Sequence, residues 1–150
     1  MIERYEQFSA AVSSLYRYIQ KIEREEMVKY GYKGSYAQYL VAMARRHEGI
    51  TATQLCEICD KDKAAVSRAI GEMEEKGLVK RESMGETMYR AKLLLTQEGK
   101  KAADYVCERA HRAVVAADQG LTEETRAEFY KAISLIAKNL HSISREGIPE

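Results

Sequence analysis

The chain has 150 residues, a formal net charge of +1, 45% hydrophobic and 31% charged residues, one proline and three cysteines. That length suits one domain with a real core, and no apolar run approaches the ~20 residues of a bilayer span. Near-neutral charge argues against a general polyanion coat, and an odd, irregular cysteine set argues against a disulfide framework. The opening MIERYEQ is unlike a secretory leader, so a cytoplasmic protein is expected.

Residues 3–29 are predicted to form one long helix. Tyr5, Phe8, Val12, Leu15, Ile19 and Ile22 recur at three, four, three, four and three, the seam of helix-on-helix packing. Gly31 and Gly34 break it. Ser35, with Gln38 three residues on, predicts a capping box for a second helix whose buried stripe is Tyr36, Leu40, Met43 and Ala44. Its basic end, Arg45-Arg46-His47, complements the helix dipole, with a phosphate contact as the sharper alternative.

Residues 51–95 organise the rest. Thr51 and Gln54 predict a capping box, after which Leu55, Ile58 and Cys59 share one face. Asp60-Lys61-Asp62 ends that helix, and Asp60 or Asp62 can cap the next. Val66, Ile70 and Met73 give the second helix one buried stripe, and Gly77 suits a left-handed C-cap. Residues 78–82 and 88–95 are expected to be extended, joined through Ser83-Met84-Gly85-Glu86. A helix pair joined by a tight polar turn and followed by a hairpin is a winged-helix reader of the major groove. Small residues let the second helix approach base edges, and cations reach phosphates or guanine acceptors. The candidate DNA-contacting set is Thr51, Thr53, Lys61, Lys63, Ala64, Ala65, Ser67, Arg68, Lys80, Arg81 and Arg90. Between Lys61 and Lys92 eight basic residues face six acidic ones, and four of those acids (72, 74, 75 and 82) lie past the front turn of the recognition helix.

Thr96 is expected to cap a helix running to about Asp118, with Ala102, Val106, Ala110, Ala113 or Val114, and Ala117 on its apolar side. Gly120 stops it, and Thr122 caps a last helix that has Glu123 and Glu124 in its first turn. There Phe129, Ile133, Ile136, Leu140 and Ile143 repeat four, three, four, three. Seams on both terminal helices predict a homodimer, with Tyr5, Phe8, Val12, Leu15, Phe129, Ile133, Ile136 and Leu140 as candidate interface residues. The expected fold is mainly α with a small β-hairpin wing. A winged helix-turn-helix lobe at 35–96 is flanked by dimerisation helices at 1–34 and 97–150 within one domain.

DKAAVSRAIGEMEEKGLVKR followed by YRAKLLLTQEGKKA resembles the MarR family of winged-helix transcription regulators. The resemblance rests on Ser67-Arg68 in the recognition helix, on MEEKGLV with Met73 in a usual leucine position, and on Leu95-Thr96-Gln97-Glu98-Gly99 after the wing. It implies a homodimeric repressor on a pseudo-palindromic double-stranded DNA operator, relieved by a small-molecule effector. The chain departs from the family at the wing, where Glu86-Thr87-Met88-Tyr89-Arg90 replaces an Asp-Arg-Arg-like stretch and leaves Arg81 and Arg90 as wing contacts. Seven of the ten tyrosines precede residue 40, and tyrosine suits pockets for phenolic or other aromatic ligands. The resemblance places such a ligand beside the first two helices, where Tyr16, Tyr36 and Tyr39 are candidates, against ordinary core aromatics.

Two further function classes stand beside the regulator. One is a winged helix that binds protein without DNA, motivated by the near-neutral charge and acidic wing tip. The other is a redox sensor built on Cys56 and Cys59. Zinc wants four ligands, and no second cysteine pair or histidine cluster accompanies these two, so no metal or other cofactor is expected. No nucleophile with a neighbouring base, glycine-rich phosphate loop or carboxylate dyad stands at a recognisable spacing, so no enzyme is expected.

Overall fold

The computed structural model describes residues 1–83 and 91–150. In chain order come α1 (Ile2–Tyr30), α2 (Tyr36–Ala44), α3 (Ala52–Cys59), α4 (Lys63–Glu75), β1 (Val79–Glu82), β2 (Lys92–Leu95), α5 (Gln97–Ala117) and α6 (Glu123–Glu146). Two compact units result, residues 1–112 and 113–150, with α5 running across the boundary. The fold is mainly helical with one antiparallel hairpin, as expected.

Most helix starts follow from local chemistry. Thr51 Oγ1 accepts the Gln54 N–H at 3.2 Å while Gln54 Oε1 accepts the Thr51 N–H at 3.0 Å, the reciprocal box expected there. Thr122 Oγ1 accepts the Thr125 N–H and caps α6. Ser35 does not cap α2. Its backbone is already helical (φ −62°, ψ −16°), so its hydroxyl meets no first-turn amide, and the Lys33 and Gly34 carbonyls accept from Tyr36 and Ala37 instead.

The core lies in the first unit. Its centre is α2, which is not striped as expected: every residue from Tyr36 to Met43 except Gln38 is buried. A helix apolar all round is one enclosed by its neighbours. Met27 of α1, Leu55 of α3, Ile70 and Met73 of α4, and Leu93 of β2 complete the core. Ile58, expected on the α3 core face, is exposed, because Leu55 and Cys59 at i and i+4 fill that face alone.

Val79 pairs with Leu95 and Glu82 with Lys92 across the hairpin. Ile50 adds an isolated antiparallel bridge to β2, exchanging N–H···O bonds of 3.1 and 2.7 Å with Leu93. The expected strand from Met88 is seen from Lys92 onward, and residues 84–90 lie outside the described part of the chain.

Two contacts tie distant segments together. Glu26 of α1, 8% exposed, accepts from Lys29 at 2.6 Å, from Arg109 of α5 at 3.1 Å and from Tyr105 of α5 at 3.3 Å. The Lys29 hydrogen bond, followed by that from Arg109, holds its carboxyl below the usual 4.5. At the other end of the unit, Thr96 donates its N–H to Leu78 O and its hydroxyl to Gly77 O, and the same hydroxyl accepts the Gly99 N–H. Gly77 takes φ +74°, which only glycine adopts freely. Gly99 packs so closely that a Cβ there would stand 2.0 Å from Leu78 O.

Two glycine-to-alanine substitutions should therefore act in opposite directions. In an open helix interior alanine stabilises by ~0.5–1 kcal/mol, and Gly71 of α4 has open space where the methyl would go. Gly71→Ala should raise the melting temperature. Gly99→Ala drives a methyl into backbone and should cost ~3 kcal/mol or more, seen as an earlier denaturant midpoint.

Candidate nucleic-acid interface

The recognition helix α4 is set by its two ends and one stripe. Asp62 Oδ1 accepts the Ala65 N–H at 2.7 Å and fixes the first turn. Just before it, Asp60 turns the chain at φ +50°, a conformation that aspartate tolerates better than most side chains. Val66, Ile70 and Met73 are buried, as expected. That inward stripe leaves Lys63, Ala64, Ser67 and Arg68 exposed and Ala65 half-buried. The front of α4 thus presents short side chains flanked by cations, a surface that can enter a groove.

Around it lie the other expected contacts. Thr53 and Lys61 are exposed, and Thr51 is half-buried with its hydroxyl engaged by its own cap. Lys80 and Arg81 are exposed on β1. Arg90 and Glu86 of the expected wing lie outside the described residues. Arg81 is not a free wing cation, since its Nε donates to Glu74 Oε1 of α4 at 2.9 Å. Exposed pairs of this kind are worth only ~0–1 kcal/mol, so phosphate can compete for the guanidinium.

Internal pairing redistributes the charge more than a residue tally suggests. Glu74 is taken by Arg81, and Glu72 Oε2 accepts from Tyr36 Oη at 2.9 Å and from Lys33 Nζ at 3.3 Å. The Tyr36 hydrogen bond, then that from Lys33, lowers the Glu72 carboxyl. Burial, then the same hydrogen bond, pushes the Tyr36 phenol up to about 12. Lys61, Lys63, Arg68 and Lys80 make no ion pair among the described residues. Glu72 and Glu74 behind the surface are engaged while those four cations are in no such pair, which leaves the front of α4 locally positive.

The three candidate tyrosines do not share one environment among the described residues. Tyr36 and Tyr39 are each 4% exposed within the core, whereas Tyr16 is 56% exposed on α1 with its hydroxyl accepting from Gln20 at 2.7 Å. Aromatic bodies on α2 are needed to fill the lobe, so they are spent there. A separate cavity of about 230 Å³ is lined by Gln20, Glu23, Arg24, Ser35, Gln38 and Lys61 with Gly34 and Ala37, and none of the three tyrosines borders it.

The cysteine pair is not poised for redox chemistry. The buried Cys59 thiol donates to Gln38 O at 3.7 Å, and burial, then Cys56, pushes it up to about 11. A thiol held protonated is a poor nucleophile.

The seam residues of both terminal helices are open in the single chain. On α1, Tyr5, Phe8, Val12 and Leu15 are exposed. On α6, which buries none of its residues, Phe129, Ile136 and Leu140 are exposed and Ile133 is half-buried.

Capped helices α3 and α4, a hairpin paired back to Ile50 and long helices before and after define a winged-helix lobe with helical flanks. Residues 30–86 match the MarR family model, so the resemblance carried by the recognition helix and its exit is borne out over the lobe. Solved structures share the fold along nearly the whole chain. A MarR regulator from Methanosarcina mazei Go1 is 24% identical, with TM-score 0.79 over 92% of this chain and 99% of its own. A MarR-family regulator from Listeria monocytogenes, solved with a 26mer DNA, is 19% identical, with TM-score 0.76 over 94% and 96%. MarR from Staphylococcus aureus, solved with salicylate and kanamycin, is 17% identical, with TM-score 0.73 over 93% and 94%. No curated protein sequence matches the chain. Among the described residues no helix is long and apolar enough to cross a membrane.

The Asp62 cap sets how α4 is presented. Asp62→Ala should lower stability by ~1 kcal/mol, read as a shift in the chemical-denaturation midpoint at constant slope.

Proposed function

We propose that the chain is a sequence-specific, double-stranded DNA-binding transcription regulator of the MarR type. It acts in the cytoplasm as a homodimeric repressor, is relieved by a small-molecule effector, and catalyses no reaction. The observation that carries this reading is the front of α4, where Lys63 and Arg68 stand exposed, with no ion pair among the described residues, beside Ala64 and Ser67 while Glu72 and Glu74 are engaged elsewhere. Lys61 and Lys80 extend the positive rim, and Arg81 joins it when phosphate displaces Glu74. In this reading residues 35–96 form the DNA-binding lobe, and 1–34 and 97–150 supply the dimer.

The exposed seams of α1 and α6 support the dimer, because apolar rows repeating in heptads demand a partner surface. A two-fold dimer places two recognition helices about 34 Å apart, one turn of duplex, and so favours a pseudo-palindromic operator. The Staphylococcus aureus relative with salicylate supports an aromatic effector. Its binding need only favour the DNA-incompetent state by ~1–3 kcal/mol. Tyr36 and Tyr39 are committed to the core, so the effector is sought at the cavity bordered by Glu23, Arg24 and Lys61.

The decisive experiment is selection of duplexes from a randomised pool, followed by affinity measurements across a salt series. A recovered two-fold site, with log affinity falling linearly against log salt, is expected. Arg68→Ala should then weaken that site by ~1–3 kcal/mol. Recovery of no preferred duplex at any salt would transfer the lobe to the protein-binding class. Ile133→Lys combined with Ile136→Lys should give monomers in sedimentation equilibrium, and a surviving dimer would remove the α6 seam from the interface.

A further inference from the structure

Arg68 stands with Lys63 on the presented face of α4, and Glu72 follows it at i+4, a spacing at which two side chains reach each other. Left alone, that carboxylate would compete with DNA for the guanidinium. It is held elsewhere. Tyr36 Oη and Lys33 Nζ both meet Glu72 Oε2, and Arg68 makes no hydrogen bond or ion pair among the described residues. Of the two holds the phenol is the firmer. Tyr36 is 4% exposed at the start of a buried helix, whereas Lys33 extends an exposed side chain from the turn before it. Attraction between the two α4 groups persists, since Arg68 helps to lower the Glu72 carboxyl after Tyr36 and Lys33. The guanidinium therefore has a carboxylate within electrostatic reach and no contact with it.

The geometry points to Tyr36 as a positioning residue for DNA reading: its hydroxyl holds the Glu72 carboxylate toward α2 and so keeps Arg68 free for the groove. This rests on the reading of Arg68 as a DNA contact. A phenylalanine would fill nearly the same core volume, so the core alone does not require the hydroxyl. Without it Glu72 Oε2 loses its buried donor and turns to Arg68. An exposed i, i+4 pair must then be broken at each of two recognition helices when DNA binds.

The test compares Tyr36→Phe, Glu72→Gln, their combination and Arg68→Ala with the unsubstituted protein. The probe is a duplex of ~30 base pairs, spanning about three helical turns, that the unsubstituted protein selects from a randomised pool. Tyr36→Phe should raise the dissociation constant about threefold. The same substitution made in the Glu72→Gln background should leave it unchanged. Equal weakening in both backgrounds would mark Tyr36 as a packing residue only and overturn the proposal, as would no weakening in either. If Arg68→Ala binds normally, the DNA reading of Arg68 falls and takes the brace with it. If Arg68→Ala weakens binding while Tyr36→Phe does not, the brace alone falls. A DNA-free readout keeps the two apart: the Arg68 Nε–H resonance should shift on Tyr36→Phe and return in the double variant, and a resonance that never moves refutes the brace.

Discussion

The winged lobe depends on one place where the chain comes back on itself at backbone distance. Thr96 engages Leu78 O through its N–H and Gly77 O through its hydroxyl, and that hydroxyl also receives the first-turn amide of Gly99. One side chain thereby closes α4, launches β1 and caps α5. Such an approach is possible only because Gly99 carries no side chain where it meets Leu78. The base of the hairpin and the exit of α4 are consequently one hydrogen-bonded object. Ile50, bonded to Leu93, brings the entry of α3 into the same object. The face of α4 is presented from a frame fixed at both ends.

Electrostatics complete what the frame presents. A chain of net charge +1 would be a poor polyanion partner if its charges were spread evenly. Here Arg81 occupies Glu74, while Tyr36 and Lys33 occupy Glu72. Lys33 offsets Glu72 with a cation from outside α4, whereas Arg81 and Glu74 offset each other. The resulting field is short in range and salt-sensitive, which suits the site-selective reading proposed for the lobe rather than a general polyanion coat.

What was legible in the sequence was local in character. The caps at Thr51, Asp62, Thr96 and Thr122 each involve a residue and an amide three positions later, so spacing alone exposes them. The stripe Val66, Ile70 and Met73 and the seams of α1 and α6 are periodic, and periodicity survives without coordinates. Ser35 failed as a cap because the preceding turn had already set its backbone helical, which no pair of residue types records. Ile58 failed because α3 has room for only two inward side chains. Tyr36 and Tyr39 were weighed as ligand contacts or core, and the enclosure of α2 from all sides makes them core. The engagement of Glu72 spans 36 and 39 residues, so its role lay beyond any motif.

Glu26 shows how far such ties reach along the chain. Its bonds to Tyr105 and Arg109 span 79 and 83 residues, whereas the hairpin, the caps and the Thr96–Gly77 bond close much shorter loops. Closing a longer loop costs more chain entropy, and contacts between distant segments are slow to form. The lobe between Tyr36 and Gly99 can therefore assemble first, and the joint between α1 and α5 closes over a framework already in place. A substitution at Glu26 should then be felt in how fast the native chain opens, and hardly at all in how fast the lobe is made.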